Sequence, residues 1–157
     1  MLVHPAIAGY TVLKFFHVLF AIIAVGFNAS YGIWIYRAQR EREHELHVLK
    51  GIKLLDDRFA NPSYGALLVF GLLTMNAEHY SLRHTLWLKL SLALYILTAL
   101  TAIFVFTPSL KKQIALLEAG QGESAEFASA SNRSRFTGMF LGVVVIFIVF
   151  LMVTKPT

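Results

Sequence analysis

The chain has 157 residues, of which 57% are hydrophobic and 15% are charged, and its formal net charge is +5. A water-soluble domain could not bury so much apolar surface, so the composition indicates an integral membrane protein. The absence of cysteine excludes disulfides, thiolate metal ligands and thiol catalysis. The basic balance is typical of a protein that contacts a membrane surface, and nothing in the sequence favours a nucleic-acid partner.

Four stretches that are poor in charge predict four membrane-spanning helices. They lie at about 10–36, 62–80, 86–107 and 136–154. Roughly 20 apolar residues suffice to cross a hydrocarbon core of ~30 Å. The predicted fold is therefore all-α: a four-helix transmembrane bundle with cytoplasmic amphipathic helical extensions, forming a single integral membrane domain over 1–157.

The first predicted span carries polar and small residues at steps of three and four, which places them on one helix face. These residues are Lys14, His17, Ala21, Ala24, Asn28 and Tyr31. Because an unsatisfied polar group is costly in lipid, this face is predicted to turn towards other helices.

The segments between the predicted spans have an amphipathic pattern. Within 37–61, Val48, Ile52, Leu55 and Phe59 share one face, which predicts a helix lying along the inner leaflet. The histidines in this segment, His44 and His47, lie among charged residues and indicate a solvated face rather than a metal site. The Asn61-Pro62 and Thr107-Pro108 pairs are predicted to interrupt the helices.

Most basic residues fall in the two long connections between predicted spans. Ten lie there, at Arg37, Arg40, Arg42, Lys50, Lys53, Arg58, Lys111, Lys112, Arg133 and Arg135. Four lie elsewhere, at Lys14, Arg83, Lys89 and Lys155. Since cytoplasmic loops are enriched in Lys and Arg, both long connections are predicted to face the cytoplasm. Both termini would then be periplasmic, in a bacterial inner membrane.

Three ionisable residues on three predicted spans fall at similar depth. Counting 1.5 Å per residue from the inner boundary places His17, His79 and Lys89 roughly 25 to 28 Å above it. Two histidines on different helices are a usual way to hold haem iron. The layer therefore predicts haem b with His17 and His79 as axial ligands and Lys89 as an alternative second ligand. Alternatively, His17 forms an interface hydrogen bond, Lys89 snorkels and His79 caps its span.

Cationic side chains near this layer, Lys14 and Arg83, suit the haem propionates. Aromatic residues that could pack a macrocycle also lie nearby. They are Phe15, Phe16, Phe20, Tyr80 and Trp87.

Three motifs carry a family resemblance: KFFHVLFAIIAVG at 14–26, WLKLSLAL at 87–94 and VTKP at 153–156. With them the chain resembles the small bacterial membrane family catalogued as domain of unknown function 2269. That family is similar to four-helix membrane proteins that include the J-type protoporphyrinogen oxidase and the membrane domain of copper-resistance protein D. The resemblance implies that His17, in the K-x-x-H pattern, and Lys89, in the W-L-K pattern, take part in haem b binding.

The leading hypothesis is thus a haem b-binding redox protein of the lipid bilayer. It would be a b-type cytochrome or an oxidase, with a quinone, a porphyrinogen or an electron-transfer protein as partner. The alternative is a cofactor-free accessory or assembly subunit of a larger membrane complex. A metal transporter is disfavoured because the spans lack soft and acidic ligands. The substrate, the second axial ligand and homo-oligomer formation stay open.

Overall fold

The computed structural model describes residues 5–82 and 84–156, and every regular element in those ranges is helical. In chain order the elements are α1 (Pro5–Arg40), a 3₁₀ turn (Arg42–His44), α2 (Glu45–Leu55), a π-helical turn (Asp56–Ala60), α3 (Asn61–Ala77), α4 (Leu86–Thr101), a second π-helical turn (Ala102–Phe106), α5 (Thr107–Glu118) and α6 (Ala125–Thr154). The predicted all-α class is confirmed.

The helix runs without interruption through both proline pairs, so the predicted breaks there are wrong. Proline lacks an N–H group, and its ring clashes with the carbonyl four residues earlier. Each proline here follows a π-helical turn, in which the preceding residue donates to a carbonyl five residues back. Asn61 donates to Asp56, and Thr107 donates to Ala102. The wider turn accommodates the proline ring and allows the helix to continue.

The described residues therefore form four continuous helical rods, at 5–40, 45–77, 86–118 and 125–154. Three helices among them are long and apolar enough to cross a membrane. They are Gly9–Arg40, Leu86–Glu118 and Ala125–Thr154. The second predicted span, 62–80, falls on α3, which has 17 residues and is not among the three. Its apolar residues are diluted by glycine and polar side chains.

The helices pack in two groups that meet at the end of the molecule where α2 lies, and α1 also contacts α6. α1 packs along α3, α4 and α5 pack along α6, and α2 contacts both α1 and α5. The buried cluster between the groups consists of Tyr31, Leu49, Ile52, Phe106, Leu110 and Leu141. Large apolar side chains elsewhere face outward: Val143 and Ile146 of α6 are each 68% exposed. Such a surface is suited to lipid rather than water.

The joined end is rich in polar contacts between elements. Lys50 of α2 pairs with Glu118 of α5 at 2.7 Å, and Lys112 of α5 pairs with Glu126 of α6 at 3.2 Å. These exposed pairs contribute little stability individually. The opposite end is closed by a cluster of Tyr80, Trp87 and Lys155.

In this cluster the Tyr80 and Trp87 rings meet edge to face with centroids 5.6 Å apart. The Lys155 Nζ lies 5.3 Å from the Tyr80 centroid and 5.6 Å from the Trp87 centroid, and donates to the Tyr80 hydroxyl at 3.3 Å. The cluster therefore ties the turn after α3 to the start of α4 and the end of α6.

Candidate functional site at the interface of α1 and α3

The His17 side chain is directed from α1 onto α3. Its Nδ1 lies 3.0 Å from the backbone carbonyl oxygen of Leu67. A carbonyl can only accept, so Nδ1 must carry the proton in this hydrogen bond. The lone pair of the neutral imidazole is then on Nε2, which makes Nε2 the free ligand or proton acceptor.

A glycine on α3 makes room for the imidazole. A Cβ atom added to Gly71 would lie 2.9 Å from the His17 Cε1 and 3.1 Å from its Nδ1. Any other residue would therefore displace the ring or separate the helices. Beside it, the rings of Phe16 and Phe20 stack on Phe70 with centroids 5.2 and 5.6 Å away.

The other predicted site residues lie apart from His17. His17 is level with Leu67 to Gly71, and His79 follows Gly71 by eight positions, which is about 12 Å along a helix. His79 lies exposed in the turn after α3, with a left-handed φ of 55°. No hydrogen bond joins His17 to His79 or Lys89 within 5–82 and 84–156. His17 thus contacts the middle of α3, whereas His79 follows the end of that helix, and the haem layer stays a prediction.

The cationic candidates do not converge on His17 either. Lys89 is exposed on α4, beside an apolar groove formed with Leu92 and Ile96. Lys14 is exposed and its Nζ lies 5.6 Å from the centroid of the Tyr10 ring. Arg83 lies outside the described residues. The described part of the chain contains no group of three His, Asp or Glu side chains placed to hold a metal ion.

Further along α1, the face that bears His17 continues as a line of polar contacts. The Asn28 side-chain amide donates to the Tyr64 hydroxyl and to the Ala24 carbonyl, each at 3.0 Å. The Tyr95 hydroxyl donates to the Tyr64 carbonyl at 2.7 Å, which brings α4 to the same point. The prediction that this face turns inward is confirmed at four positions: His17, Ala24, Asn28 and Tyr31.

We call the set of His17, Asn28, Tyr31, Asp56, Tyr64 and Tyr95 the polar seam. Its end near α2 is formed by Asp56, which is 6% exposed and accepts a hydrogen bond from the Asn61 amide at 3.2 Å. The carboxyl lies within electrostatic range of the Tyr31 and Tyr64 hydroxyls. Burial raises the pKa of Asp56, and the Asn61 hydrogen bond opposes that rise.

The predicted apolar face of α2 is confirmed at Val48, Ile52 and Leu55, which belong to or pack against the buried cluster, but sequence reasoning missed Asp56, Tyr64 and Tyr95. The predicted face includes Phe59, yet Phe59 is 52% exposed. The buried face instead passes through Glu45, Leu49, Ile52 and Asp56. It carries a carboxyl group near each end, a pattern that hydrophobic periodicity alone does not detect.

A family model described as "Predicted integral membrane protein (DUF2269)" matches residues 11–156. The chain belongs to this family. No curated protein matches the chain, and no solved structure matches it. Membership supports the membrane assignment, whereas the resemblance to protoporphyrinogen oxidase and copper-resistance protein D gains no support. The haem ligands stay a prediction.

Two glycines of α3 provide a matched test of the His17 contact. Gly71→Ala should lower the thermal stability, because its Cβ would collide with the imidazole. Gly65→Ala meets nothing within 4 Å and should be neutral or stabilising. A helical Gly→Ala change is worth roughly 0.5–1 kcal/mol by propensity alone. The test compares the melting temperatures of the two variants in detergent. Equal values would contradict the packing of His17 on Gly71.

The buried Asp56 carboxyl predicts a pH-dependent effect of its replacement. Its pKa is raised in the folded state, so the wild type loses stability as pH rises from the unfolded pKa of ~3.9 through the folded value. Asp56→Asn removes that loss and should raise the melting temperature at pH 8 relative to the wild type. The gain should shrink as the pH falls through the folded pKa towards the unfolded value of ~3.9, because the wild-type carboxyl becomes protonated in the folded state over that range.

The neighbouring Asp57→Asn variant is the control for this experiment. Asp57 is exposed and pairs with Lys53, so its replacement removes that pair and relieves only the weaker repulsion that Asp57 exerts on Asp56, not the burial of a charge. It should not stabilise the protein at pH 8. A gain for Asp57→Asn equal to that for Asp56→Asn would refute the assignment of the effect to burial.

Proposed function

We propose that this chain is a haem b-binding redox protein of the membrane, with His17 as an axial ligand. The observation that supports this proposal is the hydrogen bond from His17 Nδ1 to the Leu67 carbonyl at 3.0 Å. Histidines that bind metals commonly donate their second ring nitrogen to a carbonyl or carboxylate, which fixes the ring and increases its basicity. The His17 imidazole is held in this way, with Nε2 free.

The residues around His17 fit a haem that is held by one histidine better than a haem that is held by two. The recess at Gly71 orients the His17 ring, and the neighbouring phenylalanines offer apolar surface to a macrocycle. His79 lies about 12 Å further along the chain direction of α3, too far to share an iron with His17. A haem held by His17 would supply redox chemistry to a substrate that reaches it. This favours oxidase activity on a quinol- or porphyrinogen-like substrate over simple electron transfer.

The second candidate is a cofactor-free accessory or assembly subunit. One observation favours it: His17 is already satisfied, because it bonds to Leu67 and fills the space at Gly71. A polar group paired in this way also serves to hold two helices together in lipid. The cofactor content of the purified protein distinguishes the two candidates.

We also propose that all four rods cross a bacterial inner membrane, with both termini outside. α3 is not among the three helices that are long and apolar enough to span, but the turn after it reaches Lys155 at the end of α6. The end of the rod at 45–77 is therefore close to the end of α6, a helix that is long and apolar enough to span the membrane. The ten basic residues of the two long connections belong to the other end, which the positive-inside rule assigns to the cytoplasm.

The haem proposal predicts a visible absorption spectrum for protein purified from haem-replete cells. His17→Ala should abolish or strongly reduce the Soret band, because it removes the proposed iron ligand. His47→Ala is the matched control, since His47 is exposed on α2, and should retain the band. His79→Ala and Lys89→Ala should retain it too if His17 is the sole axial ligand.

Three results would count against this proposal. Wild-type protein without a Soret band would favour the accessory-subunit candidate. Loss of the band in His79→Ala with normal folding would assign that residue to the iron, as the sequence predicted. A band that survives His17→Ala would remove His17 from the site.

The topology predicts opposite labelling of single cysteines on intact cells. Glu123 is exposed between α5 and α6, and Ser81 is exposed between α3 and α4. The variants Glu123→Cys and Ser81→Cys place a thiol at each of these positions. An impermeant thiol reagent should label position 81 and spare position 123 until the cells are opened. Labelling of position 123 from outside would reverse the orientation, and labelling of both would contradict the four crossings.

A further inference from the structure

A polar cavity of about 430 Å³ opens at the end of the molecule where the basic residues collect. It lies between the end of α1, the 3₁₀ turn, the start of α2 and the first turns of α6. Its polar walls include Gln39, Arg42, Glu45, Glu123, Ser131 and Arg135. None of these residues belongs to the polar seam, so the cavity is separate from the His17 site.

Glu45 is the innermost charged group of this cavity. It is 4% exposed, and it makes no hydrogen bond or ion pair with any of the residues that the structure describes. Burial raises the pKa of Glu45, and the charge of Arg42 opposes the rise. A buried carboxylate without a partner is unfavourable and is normally paired with a cation or a hydrogen-bond donor. The missing partner can approach only from the cavity that Glu45 lines.

The exposed rim of the cavity offers groups of the opposite sign. Arg42 belongs to the 3₁₀ turn and Arg135 to α6, so two elements present guanidinium groups to one space. The Arg135 guanidinium lies 5.4 Å from the Phe136 ring centroid and uses one nitrogen to donate to Asn132 at 2.9 Å, which leaves its other N–H donors for a ligand. Guanidinium groups bind phosphate oxygens in a bidentate manner. The positive end of the long α6 dipole lies at the same place.

The acidic and basic residues that line the cavity are equal in number, which suits a ligand that carries no net charge. Glu45 and Glu123 balance Arg42 and Arg135, so a simple anion would be repelled as well as attracted. We propose that this cavity binds a zwitterion, with a primary ammonium group at Glu45 and a phosphate group at Arg42 and Arg135. The volume is within the range of about 300–1,000 Å³ typical of small-molecule sites.

The phosphoethanolamine group has this chemistry, and it has two sources. It is the headgroup of phosphatidylethanolamine, and it exists as a free phosphomonoester. Arg135 immediately precedes the charge-free stretch that begins at Phe136, so the rim lies at the level of the membrane boundary. Both sources can therefore reach the cavity.

The test is a binding measurement on full-length protein in detergent. Calorimetric titration with O-phosphoethanolamine, and native mass spectrometry with short-chain phosphatidylethanolamine, report the two sources separately. Binding of either supports the proposal and identifies the source, and binding of neither overturns it.

Phosphocholine and short-chain phosphatidylcholine should bind at least about tenfold more weakly, because a trimethylated ammonium cannot donate to Glu45. Equal binding of phosphocholine, or of phosphatidylglycerol, overturns the assignment of the ammonium to Glu45.

Variants locate the ligand in the cavity. Glu45→Gln keeps the size of the side chain and removes its charge, and should weaken binding at least about tenfold. Glu118→Gln is the matched control, because Glu118 is exposed and pairs with Lys50 away from the cavity. Arg135→Gln, at an exposed position, should also weaken binding and covers the case in which Glu45→Gln fails to fold. Unchanged affinity in folded Glu45→Gln or in Arg135→Gln overturns the proposal.

Discussion

The hydrogen bond between Asn28 and Tyr64 is the contact on which the membrane part of this structure depends. In hydrocarbon a polar side chain has no water to bond, so its partner must come from the protein, either from its own helix or from a neighbouring one. Asn28 of α1 donates to Tyr64 of α3, and the Tyr64 carbonyl accepts from Tyr95 of α4. Three helices therefore share one connected set of polar groups. The Asn28 amide is the donor to the Tyr64 hydroxyl in this arrangement, so the contact couples α1 to α3.

The inward face of α1 could be predicted from the sequence, because the rule behind it is local. Polar residues three and four positions apart share a face, and that face avoids lipid. The continuity of the helix through Pro62 and Pro108 could not be predicted in the same way. It depends on π-helical turns, in which an N–H group donates to the carbonyl five residues back instead of four. The sequence preference for these bonds over ordinary helical bonds is slight. Helix propensities include the destabilising effect of proline, but they do not indicate whether a π-helical turn accommodates its ring.

Depth could not be derived by counting residues, because the count sets the inner boundary at one level on every helix, whereas Asn28, eight positions before Tyr36, is level with Tyr64, two positions after Pro62. Phase is affected by the π-helical turns. A π-helical turn inserts one residue, which rotates all later side chains by roughly 100° relative to a regular helix. Helix tilt adds a shift that only packing determines. The sequence thus identified His17 as a functional candidate, but it placed His79 beside it. The structure places Gly71 there, because only a residue without a Cβ leaves space for the imidazole.

The two buried carboxyl groups of the α2 rod differ in what surrounds them. Glu45 and Asp56 lie on one face, eleven positions or about three helical turns apart. Asp56 accepts a hydrogen bond from Asn61 within its own helical rod and is enclosed by the tyrosines of the seam. Glu45 has no such donor among the described residues, yet it borders an open polar space. Desolvation is unfavourable for both groups, so the difference lies in how each is compensated. Asp56 is partly compensated by the Asn61 hydrogen bond, whereas Glu45 has the charge of Arg42 nearby and an open cavity from which a further partner can approach.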